Sequence, residues 1–187
     1  MGDFPGEEFS TVFVGVSFVR HLGKFMYTHA PPEYTCPYCL FVQGKENDQI
    51  PMAQTDIVFQ TANLTAFIAT RKWIHNQGHV LIIPNKHFEN MFDLPSALAE
   101  QFHIMSRNIA LAMKAEYQCD GITVRQHNEP AGDQHIWHYH LHVIPRYKDD
   151  GFHNSQRVSF EAGERAEYAQ KLKRWFENSR DSQIAKT

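Results

Sequence analysis

The chain has 187 residues, enough for one domain with an appendage and for a core that needs no disulfide staples. Hydrophobic residues make up 42% and charged residues 21%, which excludes a disordered or collagen-like chain. Eighteen Lys and Arg against 21 Asp and Glu leave a net charge of −3, so no basic excess exists to hold a nucleic-acid backbone.

The first apolar run, Thr11 to Val19, is far shorter than the roughly 20 residues of a membrane-spanning helix. Asp3, Glu7 and Glu8 precede it where a signal peptide would carry positive charge. Its Val and Phe content predicts a strand, and no membrane partner and a cytoplasmic location are expected. Residues 1–35 read as an N-terminal appendage that ends in the loop-like Ala30-Pro31-Pro32-Glu33. Ile57 to Phe59 and Leu64 to Ile68 are short apolar runs around Thr61, Ala62 and Asn63, a hairpin pattern. Asn76-Gln77-Gly78 makes a turn into a buried strand, His79 to Ile83, stopped by Pro84.

Residues 94–117 are the strongest helix, with Leu98, Phe102, Met105, Ile109 and Met113 forming one apolar stripe. Asp93 is expected to cap it, with Pro95 in its first turn. A strand over Ile122 to Gln126, a loop over Asn128 to Gly132 and a long strand from His135 to Arg146 follow. Residues 160–180 are polar and helix-prone, with Tyr168, Leu172, Trp175 and Phe176 at helical spacing. Hairpin-length links between these elements predict an α+β domain: an antiparallel sheet with the long helix and a C-terminal helix packed on one side.

Twelve His is the anomaly of the composition. Residues 136–144 read IWHYHLHVI. Strand alternation puts Trp137, Tyr139, Leu141 and Val143 on one apolar face, suited to packing on the helix. The other face carries His138, His140 and His142 at intervals of roughly 6.6 Å. One histidine there would be structural. Three aligned imidazoles would repel one another if charged and each would need partners if buried, which points to a site. A cupin-type metal site would place Glu after the pair, where Pro145, Arg146 and Tyr147 stand; an HxHxDH hydrolase would need Asp in place of Leu141.

His138-Tyr139-His140-Leu141-His142-Val143-Ile144 matches the motif of the histidine triad family of nucleotide hydrolases and transferases at every position. Pro145-Arg146, Ala131-Gly132, Gln134, and Gly78-His79-Val80-Leu81-Ile82-Ile83-Pro84 with His87 resemble its surroundings. The resemblance covers residues 36–150, leaving 1–35 as the appendage and 151–187 as a C-terminal helical extension. It implies a nucleotide or dinucleoside polyphosphate substrate, and attack by His140 on the α-phosphorus of an ester, anhydride or phosphoramidate. A nucleotidyl-histidine would form and water would resolve it. His142 would donate to a phosphoryl oxygen. His79, Asn128 and Gln134 match positions near the phosphates. By themselves His79 is equally an ordinary strand-end histidine, and Asn128 and Gln134 ordinary loop residues.

The pattern is broken twice. Asp133-Gln134-His135 stands where the family carries Gly-Gln-Ser or Gly-Gln-Thr, so His135 replaces a hydroxyl and is expected to donate a proton to the leaving group. Ala69-Thr70-Arg71-Lys72-Trp73 lacks the Asp or Asn that usually holds the ribose, and Arg71 or Lys72 is expected to meet a phosphate or another polar substituent instead. Two alternatives stay open: a nucleotidylyltransferase or phosphorylase with a non-water acceptor, and a catalytically silent nucleotide- and metal-binding module.

Three Cys cannot form a disulfide framework. Cys36-Pro37-Tyr38-Cys39 has the spacing of half a zinc site, and alone is equally a redox pair or incidental. Family relatives that pair such a CxxC with two His imply Cys36, Cys39, His87 and His138 as ligands of one structural zinc per chain. Cys119 is left as a buried thiol. The family also implies a homodimer.

Overall fold

In the computed structural model, the structure describes residues 17–21, 24–45 and 51–179. Of the first apolar run, residues 11–16 lie outside the described residues, while 17–19 enter strand β1 (Ser17–His21), which pairs with β2 (Lys24–Thr28). The main sheet contains β3 (Ile57–Gln60), β4 (Leu64–Ile68), β6 (Val80–Pro84), β8 (Leu141–Arg146) and β7 (Gly121–Gln126), in that order. Every neighbouring pair in it is antiparallel. A second ribbon pairs β5 (Arg71–Trp73) with β9 (Arg157–Ser159). Among the described residues three α-helices complete the fold: α1 (Pro37–Val42), α2 (Ser96–Glu116) and α3 (Glu164–Asn178).

Strands β4 and β6 are buried at every position, which explains their unbroken apolar sequence. Leu64, Ala66, Ile68, Val80 and Ile82 face α2 and α3, meeting Phe102, Ile109, Met113 and Leu172. Phe67, Leu81 and Ile83 face the other way, onto Tyr38 and Phe41 of α1. The long helix and the C-terminal helix therefore cover one side as expected, but α1 covers part of the opposite side. That opposite face is the one the histidines share, so the Cys-bearing helix lies against the catalytic candidates. The C-terminal stretch adds Ala169 and Leu172, both fully buried, to the main core.

Two boundaries differ from the sequence expectation. Asp93 does not cap α2; it closes a short 3-10 turn, Met91–Asp93, and Pro95 is the residue that enters the helix. The histidine strand begins at Leu141, not His135. Its partner β6 ends in Pro84, which has no N–H to extend the ladder. The chain instead turns, with Tyr139 N–H bonded to the Phe88 carbonyl and His138 N–H to the Ile136 carbonyl (2.8 Å). Tyr139, Leu141 and Val143 still reach the helix-side core. Trp137 does not: it stacks on His29, with ring centroids 5.7 Å apart.

Gly78 has φ +79°, and a Cβ there would lie 2.6 Å from the Tyr117 ring. Only glycine fits this turn into β6. No helix among the described residues is long and apolar enough to cross a membrane.

Candidate active site

The turn before β8 and the first residues of that strand deliver the three histidines to two different places. His138 is fully buried and leaves the row towards α1. Its Nε2 lies 2.9 Å from the Pro84 carbonyl, which can only accept, so Nε2 carries the proton and Nδ1 is bare. That Nδ1 lies 3.2 Å from the Cys36 sulfur and 3.5 Å from that of Cys39. His87 Nδ1 lies 3.4 Å from Cys39 Sγ. The four ligand atoms are all within 4.8 Å of one another.

Zn–S bonds of about 2.3 Å and Zn–N bonds of about 2.0–2.1 Å set N···S tetrahedron edges near 3.6 Å, so these separations fit a tetrahedral ion. The Pro84 carbonyl supplies the orienting contact that a metal-bound imidazole normally has. The thiol of Cys36 is pulled well below its usual range, chiefly by the hydrogen bond from Cys39 and further by His138 and His87. A thiolate there is the form a metal ion binds.

His140 stays in the row and opens onto a cavity of about 290 Å³. Its Nδ1 donates to the His138 carbonyl (2.8 Å), again an obligatory acceptor, so the lone pair is on Nε2. Burial holds its protonation down to about pH 4, which keeps the ring neutral near pH 7. His142 Nδ1 lies 2.9 Å from Nε2 of His79, and the two rings meet edge to edge, with planes 20° apart and centroids 5.0 Å apart. Both are pushed towards the neutral form, first by burial; for His142 the His79 charge comes next, and for His79, lowered to about 3, the Arg125 charge. A single proton is shared between their facing nitrogens, and His79 Nδ1 is buried without a hydrogen-bond partner.

The HIT domain family model matches residues 51–149, more than half of the chain. The chain belongs to the HIT family.

Among relatives, Protein hit of Bacillus subtilis is 33% identical over 118 residues, 63% of this chain and 75% of that protein. A Hit-like protein involved in cell-cycle regulation from Bartonella henselae superposes with a TM-score of 0.61 at 26% identity, covering 74% of this chain and 94% of that one. A Zn-bound histidine triad family protein from Mycobacterium smegmatis shares the fold, with a TM-score of 0.63 at 24% identity over 75% of this chain and 91% of that one.

The HIT resemblance singled out further residues, which fall into two groups. His79, Arg71 and His135 line the His140 cavity. Asn128 and Gln134 do not; they brace the loop beside it. Asn128 accepts from Met91 N–H (2.9 Å), and Gln134, buried, bonds the backbone at Glu89, Glu129 and Ile136. Sequence reasoning missed Arg125, Arg157, His127 and Tyr38, all of which line the cavity. Tyr38 was in view as part of the CxxC, and its ring packs edge-on against both His138 and His140. Arg125 and His127 lie on or just beyond β7, whose pairing with β8 places Arg125 opposite His142.

Proposed function

We propose that this HIT protein is a nucleotidyl hydrolase or transferase that works through a covalent nucleotidyl-histidine on His140. The observation that carries the reading is the His140 hydrogen bond to its own chain. With the proton fixed on Nδ1 by the His138 carbonyl, Nε2 faces the cavity as a neutral nucleophile. Attack by Nε2 on the α-phosphorus expels the leaving group, and water or another acceptor then takes the nucleotidyl group and frees the imidazole. With the shared proton resting on His79, His142 keeps its own proton on Nε2 and donates it to a phosphoryl oxygen. His135, at the cavity wall, protonates the departing group.

Cys36, Cys39, His87 and His138 would hold one structural zinc, with no ligand position left for substrate. It would tie α1 to the turn that carries the nucleophile. Domain limits of 1–35, 36–150 and 151–187, a cytoplasmic location and a homodimer belong to the same reading.

The test is brief exposure to an activated adenylate with a labelled phosphate, followed by denaturation. Acid-labile label on wild-type protein and none on His140→Ala is the expected result. No label on wild type, with the adenylate bound, would favour the catalytically silent alternative.

A further inference from the structure

Beside the His140 cavity lies a second one of about 670 Å³, and the two share Arg71, Arg125, His135 and Arg157 in their walls. Trp73 organises this boundary. The guanidinium of Arg125 stacks 5.0 Å from its ring and that of Arg157 4.8 Å from it, while Arg71 donates to the Arg157 carbonyl (3.0 Å). Stacking holds a guanidinium by its face and leaves its N–H edge free.

Among the described residues no carboxylate forms an ion pair with these edges. Lys72, Arg146 and Arg165 are paired with Glu164, Asp150 and Asp56, but among the described residues Arg71, Arg125 and Arg157 have no ion-pair partner. Among the described residues, Asp133 is the single acidic one on either wall. Arg125 Nε is buried without a hydrogen-bond partner. Burial first, and then the neighbouring Arg157 charge, weigh against protonated Arg125 and Asp133 only partly offsets them, so a further anion would be favoured here. The pairing of β5 with β9 brings Arg157 here, and β9 lies outside the stretch the HIT model matches.

We infer that the two cavities form one bipartite site for a nucleotide with two phosphoryl groups: one attacked by His140, the second held by Arg71, Arg125 and Arg157. The inference rests on the nucleotidyl-transfer reading and names its substrate class. The second group is either the next phosphate of a polyphosphate chain or a separate ester on the ribose. Both present the same tetrahedral anion, which suits bidentate guanidinium donors.

Calorimetry with AMP, α,β-methylene-ADP and adenosine 3′,5′-bisphosphate tests this on the full chain. At least one of the two doubly phosphorylated ligands should bind about tenfold or more tighter than AMP, and the one that does identifies the source of the second group. Arg157→Gln, at an exposed position, should shrink that advantage to within about threefold while AMP affinity changes little, and Arg71→Gln should shrink it as well. AMP binding with no gain for either ligand, or variants that weaken all three alike, would overturn the second subsite and leave the His140 chemistry standing. If AMP itself fails to bind, both readings fall.

Discussion

His140 differs from its two neighbours in what its ring is bonded to. His138 spends its Nε2 proton on the Pro84 carbonyl and turns Nδ1 to the cysteines; His140 spends its Nδ1 proton on the His138 carbonyl and keeps Nε2 free. His140→Ala should therefore abolish turnover, by a factor of at least about 10³, while circular dichroism and Tm show a folded protein. Activity within about tenfold of wild type would remove His140 from the role. His135 sits on both cavity walls and is exposed, so it is free to meet a leaving group. His135→Ser should lose about 10²-fold on a substrate with a leaving group of high pKa and little on a matched one of low pKa. Equal losses on both would make His135 a positioning residue.

At the scale of elements, Asp150 fixes the route from β8 into the C-terminal stretch. Its carboxylate accepts from Arg146 Nε (2.7 Å) and Nη2 (2.8 Å), Asn76 Nδ2 (2.7 Å), and the N–H groups of Tyr147 (3.0 Å) and Phe152 (3.1 Å). The Arg146 bonds, ahead of the others, hold its pKa far below the usual carboxylate range. The folded state therefore favours the ionised form. This stability is fully present above the unfolded carboxylate value of about 3.9 and is lost as pH falls from there through the folded pKa. Asp150→Asn should lower unfolding stability by about 3 kcal/mol in urea titration at pH 7 and flatten its acid dependence. An unchanged midpoint would show that the hub is redundant.

Helix α1 is too short to hold its place by propensity, at six residues, and the Cys36–Cys39–His87–His138 group ties it to the sheet. Elemental analysis of protein purified without added metal should find about one zinc per chain, and Cys36→Ser should lower both zinc content and Tm. A stable, metal-free, active protein would make the cysteine pair incidental.

For the whole molecule, apolar side chains remain at the surface of the sheet edge and of α2: Val124 is 48% exposed, Ile104 44% and Leu111 42%. Val124 lies on β7, an end strand of the main sheet. We expect a two-fold homodimer, the commonest closed assembly, to cover such surface. Light scattering at micromolar concentration should give twice the 21.7 kDa chain mass; a monomer mass would refute it.

What the sequence determined by itself was whatever repeats locally. The apolar stripe of 94–117, the continuous apolar runs of β4 and β6, and the alternation of His140 and His142 with Leu141 and Val143 are short-range periodicities, and each survives in the structure. The pairing of Cys36 and Cys39 with His87 and His138 was legible through the family resemblance, because spacing alone supplies half a ligand set. The tertiary structure decided the rest. Pro84, far away in sequence, set where the histidine strand begins, by withholding an N–H from its partner. The arginine cluster depends on long-range pairing: β5 with β9 carries Arg157 to Trp73, and β7 with β8 sets Arg125 beside His142. Nothing local marks Arg157 in a polar stretch, since its meaning comes from the indole it stacks on and from having no ion-pair partner among the described residues.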